Sequence, residues 1–320
     1  MEEQNWYDYF LENLYDLFPK KAQLTQELMD LLCLEREAVY RRLRKDVIFH
    51  AHEIVKIVTT WNISLDEIIG INSGKVPFQM QALHYLNPSK KEYANLQKRV
   101  KAVDLIKGDP TSEYMEVCNR FPRPLSIGFL NVYRFGIFNW SYQYNIDEIT
   151  RQFSKIIIPD KIYQEFINYK KSIVCVKNSH FIIDPHLFEY CVHSIKYFHS
   201  ILLITNEERE LLKEELHAFL NYLQEIATRG CYPETQNKVN LYLSKISIDS
   251  NYSYIYSERL KACRIHAFGL HDISSSNSEM ITNFRTWMNL KKRSSIQISE
   301  TNEKQRIEFF AAQRAIVDSL

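Results

Sequence analysis

Residues 24–70, LTQELMDLLCLEREAVYRRLRKDVIFHAHEIVKIVTTWNISLDEIIG, decide how the first part of this 320-residue chain is read. The pattern predicts four short helices. Thr25 is placed as the cap of the first, which carries Leu28, Leu31 and Leu32 on one face. A break at Cys33-Leu34 leads into a helix over about 35–45, with Ala38, Val39 and Leu43 as its apolar stripe. A third helix over about 49–61 is expected to bury Ile54, Val55 and Val58. Ser64 and Glu67 have the spacing of a capping box for a fourth, and Gly70 is a stop signal.

Two short helices joined by a turn of three or four residues make the helix-turn-helix pattern. The second of the pair presents Arg36, Glu37, Tyr40, Arg41, Arg44 and Lys45, with Arg42 beside them. About eleven residues form a rod of roughly 16 Å. Such a rod fits a major groove about 12 Å wide, where arginine makes bidentate contact with guanine. Its positive dipole end and first-turn side chains would face the duplex.

On these residues the segment resembles the phage-repressor/Cro-like (XRE-type) helix-turn-helix domain. EREAVYRRLR at 35–44 sits where the recognition helix belongs, and ISLDEIIG at 63–70 looks like the end of the last helix. The match covers under a quarter of the chain. It departs at Cys33, where glycine is common, and at Arg42, where an apolar residue is usual. The resemblance implies that Thr25 touches a phosphate and that Arg36, Glu37, Tyr40 and Arg41 meet base edges. It implies that Arg44 and Lys45 hold the backbone. The plain alternative is a helical packing domain with a solvated basic face. Charge cuts against DNA: residues 1–70 hold 13 acidic and 8 basic side chains, a formal net of −5. Five of the eight basic residues nevertheless fall between Arg36 and Lys45, so modest non-specific affinity with a shallow salt slope is expected.

The whole chain has a formal net charge of +1, which argues against a polybasic role for the molecule at large. Only 7 Gly stand against 38 Phe and Tyr, so large side chains fill the interior and flexible linkers are scarce. No apolar run reaches the ~18 residues needed to cross a membrane. Glu2 and Glu3 stand where a signal peptide needs positive charge. The six cysteines show no pair spacing and read as reduced thiols of a cytoplasmic protein.

Along the chain, Trp6, Phe10, Leu14 and Leu17 predict a first helix over 5–18. Residues 89–106 predict a helix in which Tyr93, Leu96, Val100 and Val103 make a coiled-coil-like seam, a dimerisation or linker helix or else a helix packed on its own domain. Residues 111–121 read as helical. The aromatic-dense 125–145 reads as core helices, with an aromatic ligand pocket as the sharper alternative. A helix over 160–170 precedes strands at 172–176 and 180–183. Asp184-Pro185 opens a helix carrying Leu187, Tyr190, Cys191, Ser194 and Phe198. Thr205 and Glu208 cap another with Leu212, Leu216, Phe219, Leu223 and Ile226 inside, ended by Gly230. Val239–Leu243 and Tyr252–Tyr256 alternate as a β-hairpin, with a third strand over 260–268, a helix over 278–291, an extended 295–298 and a helix over 302–318.

The expected architecture is therefore mainly α with an α+β C-terminal region: a helix-turn-helix bundle of about five helices over 1–72, a linker helix over 73–107, and a larger helical and α+β domain over 108–320 with a sub-boundary near 232. Cys263, His266, His271 and Asp272 match no zinc spacing. His50 and His52 are expected to point to different faces, and His180, Asp184 and His186 lack a nucleophile or phosphate loop. No cofactor, metal or catalytic residue is assigned. The reading is a cytoplasmic, sequence-specific transcriptional regulator that binds double-stranded DNA as a homodimer and answers to a small-molecule or protein effector. The alternative is a protein-interaction module, antitoxin-like or scaffold; an enzyme ranks last.

Overall fold

The computed structural model describes residues 6–18, 20–61, 63–65, 68, 78–81, 84–143, 152–267, 269 and 271–320. It divides into two compact units, residues 1–77 and 78–320.

In the first unit α1 is Trp6–Leu17, α2 Lys21–Leu32, α3 Arg36–Leu43 and α4 Ala51–Trp61. The inward face of α1 is Tyr7, Phe10, Leu11 and Leu14, so the stripe is rotated from the expected one and Leu17 is exposed. These side chains meet Leu24, Leu28 and Leu32 of α2, Val39 and Leu43 of α3, and Ile54 and Ile57 of α4 in one apolar cluster. Within α4 the periodicity selects Ile57 rather than Val55, which is exposed. Ile68 joins the same cluster. Glu67 and Gly70, expected to open and close the fourth helix, lie outside the described residues. His50 and His52 do not diverge: His50 precedes the helix, and the two rings stack with centroids 5.9 Å apart.

The second unit is built on an eight-stranded sheet. Its strands are β1 Gln79–Gln81, β2 Glu113–Cys118, β3 Asn178–Ile183, β4 Lys238–Ser244, β5 Tyr252–Tyr256, β6 Lys261–Ala267, β7 His271–Ser275 and β8 Ser295–Gln297, in the order β1-β7-β6-β5-β2-β3-β4-β8. β2, β3 and β4 run parallel, and the flanking pairings are antiparallel. Parallel neighbours need long crossovers, which helices supply. Here α6 Arg123–Ser126, α7 Leu130–Gln143 and α8 Asp160–Ile173 lead from β2 to β3, and α9 Leu187–Ser200 and α10 Asn206–Arg229 lead from β3 to β4. With α5 Lys90–Asp104 and α12 Glu303–Asp318 they share the main core on one face of the sheet. α11 Ser278–Arg293 covers the other face over Met115, Val117, Ile182, Tyr254 and Cys263.

Three expectations are corrected here, and one left open is decided. Residues 113–118 form the central strand β2, not a helix: Tyr114 to Cys118 are buried on both faces, so the strand lacks the alternation of a half-solvated one. α8 runs to Ile173, so the strand expected at 172–176 is helix end and turn, whereas the strand expected at 180–183 is β3, starting at Asn178. β4 and β5 do not form a hairpin; β4 lies between β3 and β8, and β5 between β2 and β6. Of the two readings of the α5 seam, the helix packed on its own domain fits: Leu96, Val100 and Val103 are buried in this unit and Tyr93 donates its hydroxyl to Glu165 at 3.1 Å.

Two local signals carry through in the second unit. Thr205 and Glu208 make the reciprocal capping box of α10, and Gly230 closes it in the left-handed region at φ 65°. Tyr232 is fully buried in the main core.

Candidate nucleic-acid interface and a cavity in the second unit

α2 and α3 are joined by Cys33, Leu34 and Glu35. Cys33 adopts φ 54°, ψ 46°, a left-handed conformation that glycine takes more cheaply, and its N–H bonds the Met29 carbonyl. The turn fixes the phase of α3. Ala38, Val39, Arg42 and Leu43 face inward; Arg36, Glu37, Arg41 and Arg44 are exposed and Tyr40 is half-buried.

Arg42 is the inward residue that sequence placed beside the exposed row. Its Nε and Nη2 donate to Glu53 Oε2 and Oε1 at 2.9 and 2.8 Å, and its Nη1 donates to the Ala38 carbonyl at 3.1 Å. Glu53 also accepts the His50 N–H at 2.8 Å. Burial pushes the Glu53 carboxyl up, but the bonds from Arg42 and His50 outweigh it and hold the pKa below the ordinary value. Tyr7 seals the pair, donating to the Arg42 carbonyl at 3.3 Å while accepting the Phe49 N–H at 3.1 Å.

On the outer face, Arg44 pairs with Glu37 at 2.9 Å and with Asp46 at 3.3 Å, and Lys45 pairs with Asp8 of α1. Arg36 and Arg41 make no ion pair among the described residues. Thr25 is a correction. α2 begins at Lys21, so Thr25 lies in its second turn, fully buried, with its hydroxyl donated to the Lys21 carbonyl at 2.8 Å. It neither caps the helix nor has a hydroxyl free for a phosphate.

The second unit holds a cavity of about 400 Å³ at the carboxyl end of β2. Asn119, Arg120 and Phe121 leave that strand into it, Arg123 enters from α6, Tyr133 and Trp140 from α7, and Tyr190 from α9. Asn251, ahead of β5, ties the wall together: its Oδ1 accepts the N–H groups of Asn119 and Arg120 at 3.0 and 3.1 Å, and its Nδ2 donates to Glu116 at 3.3 Å. Arg120 Nη1 donates to the Gly269 carbonyl at 2.9 Å. Gly269 has φ +83°, and a Cβ there would come within 2.7 Å of the Trp140 ring, so glycine is required on both counts.

A charged cluster backs this wall on the face of the sheet that carries the main core. Asp272 Oδ2 accepts from Arg99 at 3.2 Å and from Arg123 at 3.3 Å, while His266 Nε2 stands 3.6 Å from Oδ1. Arg264 adds a third guanidinium and donates to the Tyr169 hydroxyl at 2.8 Å. Burial opposes the charge on Asp272, yet Arg123, His266, Arg99 and Arg264 hold its pKa far below the ordinary range. Glu116 goes the other way: burial raises it to about 7, with Tyr114, Arg123 and Asn251 only partly opposing. Burial and the nearby Arg123 depress His266 to about 4.

Sequence reasoning missed this site. Its traces were the aromatic density of 125–145 and the nearness of His266 to Asp272 in sequence, weighed only as a metal site; Arg120, Arg123 and Asn251 are scattered and reach the same place only through the sheet order. The other clusters weighed from sequence do not converge. Cys263 faces α11 while His266 and Asp272 face the opposite side of the sheet. His180 lies 3.6 Å from Glu113, whereas His186 pairs with Glu189. Among the described residues no three His, Cys, Asp or Glu side chains are grouped to hold a metal ion, and no helix is long and apolar enough to cross a membrane.

No family model, no curated protein and no solved structure matches this chain.

Proposed function

We propose that the chain is a sequence-specific DNA-binding transcriptional regulator. In this reading α2 and α3 act as a helix-turn-helix of the phage-repressor type, α3 enters the major groove, and two copies bind half-sites about 10 bp apart or a multiple of that. The second unit serves dimerisation or ligand sensing. One observation supports the reading most: with Val39, Arg42 and Leu43 turned inward, Arg36, Tyr40 and Arg41 share the outward face and neither arginine is engaged by an acid among the described residues.

Selection of bound DNA from a random pool tests it. Recovery of a palindrome is expected. Arg36→Ala or Arg41→Ala is expected to cost about 1–3 kcal/mol on that site and to relax preference at one position, whereas Lys45→Ala weakens all sequences alike. A pool without an enriched sequence, or variants with unchanged preference, overturns the assignment. A second reading draws on the formal charge of −5 over residues 1–70, which favours a protein partner over DNA. Capture of a protein by the full chain, with no enriched DNA, is its signature.

A further inference from the structure

Two helix faces border the cavity over the carboxyl end of β2. α7 presents Val132, Gly136, Asn139 and Gln143, which share one face at helical spacing, and α9 presents Leu187, Tyr190, Cys191 and Ser194 in the same way. At about 400 Å³ the space falls in the usual range of small-molecule sites, roughly 300–1,000 Å³.

Gly136 is the first pointer to a ligand. It sits in the middle of α7, where glycine destabilises a helix relative to alanine. Neither of the usual reasons for a glycine applies. Its backbone is helical rather than left-handed, and a Cβ built on it would meet nothing within 4 Å among the described residues. The bare backbone faces the cavity, where it leaves room for a flat body to lie close.

The walls define that body. Phe135 and Trp140 flank the glycine on α7, and the Tyr190 ring stands half out of the cavity at 53% exposure. Such rings stack on planar ligands. The guanidinium groups do not call for an anion: Arg123 is bonded to Asp272, and Arg120 to the Gly269 carbonyl. Their presence in the wall disfavours a cation. The remaining polar groups are neutral amides. Asn139 Oδ1 accepts from Gln143 Nε2 at 2.8 Å, so the pair still offers the Asn139 Nδ2 donor and the Gln143 Oε1 acceptor. A donor and an acceptor offered together are what side-chain amides use to read the edge of an adenine.

We propose that this cavity binds an uncharged purine, as base or nucleoside, its ring laid on the Gly136 backbone between Trp140 and Tyr190 and its polar edge paired with Asn139 and Gln143. The inference deepens the ligand-sensing half of the regulatory reading and rests on that reading only for its purpose. Binding is measured without DNA, so failure of one does not decide the other.

The test titrates the full-length protein at pH 7 with adenine, adenosine and guanosine, by calorimetry and by tryptophan fluorescence, since Trp140 is in the wall. Indole, which stacks but has no base-pairing edge, and benzoate and benzylamine, which carry charge, are the controls. At least one purine is expected to bind one-to-one with Kd below about 1 mM. It should bind about tenfold or more tighter than every control, the usual worth of one or two hydrogen bonds. Asn139→Leu should bring it down to the level of indole. Gly136→Leu separates what the ligand needs from what the helix needs. It should eliminate binding while raising the melting temperature by about 2–4 °C, because leucine is the better helix former. The proposal is overturned if no purine binds better than the controls, if Asn139→Leu keeps the full preference, or if binding survives Gly136→Leu unchanged. A fall in melting temperature for Gly136→Leu also overturns it, since the glycine would then serve the fold.

Discussion

The two units bury charge in opposite ways. In the first, one arginine meets one glutamate: Arg42 and Glu53 share two short hydrogen bonds, and the spare capacity of each is taken by the Ala38 carbonyl and the His50 N–H. The charges cancel locally. In the second, Arg99, Arg123 and Arg264 surround Asp272, and among the described residues a second buried carboxyl, Glu116, has its pKa raised to about 7. A closed buried pair adds little net stability, yet losing one partner is expensive. Its visible work here is to lock the rotation of α3, which sets which residues face out. An unbalanced cluster beside a cavity has a different logic: strongly perturbed groups gather where something binds.

The largest expected effects come from removing one side of each arrangement. Asp272→Asn leaves three guanidinium groups without their carboxylate, and should cost about 3–5 kcal/mol in the unfolding of the second unit, followed by calorimetry of the full chain. Arg42→Met strands Glu53 and should cost about 3–4 kcal/mol. The double variant Arg42→Met, Glu53→Leu should return to within about 1 kcal/mol of the wild type, because no uncompensated charge remains. A double variant that stays as unstable as Arg42→Met alone would break the account of the first unit as a closed pair.

A smaller effect sharpens the comparison through pH. Burial lifts the Glu116 carboxyl to about 7 from an ordinary 4.5. Between those values the folded chain keeps a proton that the unfolded chain has released. The stability held by the neutral carboxyl is thus complete below about pH 4.5 and is lost as pH rises through 7. Tyr114, Asn251, Arg123 and Asp272 face the group and set this balance. His266 and His180, both lowered to about 4, lose their contribution on the acid side, but equally in wild type and variant. Glu116→Gln should therefore match the wild type near pH 4 and exceed it at pH 8 by roughly 3 kcal/mol at most. Denaturant midpoints across that range would measure it, and a constant difference at every pH would refute the assignment.

How much of this was legible follows the range over which each signal acts. The capping box at Thr205 and Glu208, the stop at Gly230 and the inward leucines of α10 are local, and they read correctly from the chain. The exposed row of α3 was legible for the same reason, while Arg42 was not: its inward turn depends on Glu53, eleven residues on in another helix. β2 was hidden because burial on both faces erases the period that identifies a strand. The false hairpin came from trusting adjacency in sequence, where the sheet separates β4 from β5 by two strands. The cavity was the least readable of all. Arg123 and Asp272 lie 149 residues apart, and nothing in either neighbourhood announces the other.

The shortness of α3 has an arithmetic consequence. Its eight residues span about 12 Å, which lies along only some four base pairs of duplex. Any given tetranucleotide recurs about once in 250 positions, against genomes that offer a million or more competing sites. A single reader of this length carries too little information to name one address. For the proposed reader the vocabulary must come from joining several such short words, and the spacing between them then becomes part of the spelling.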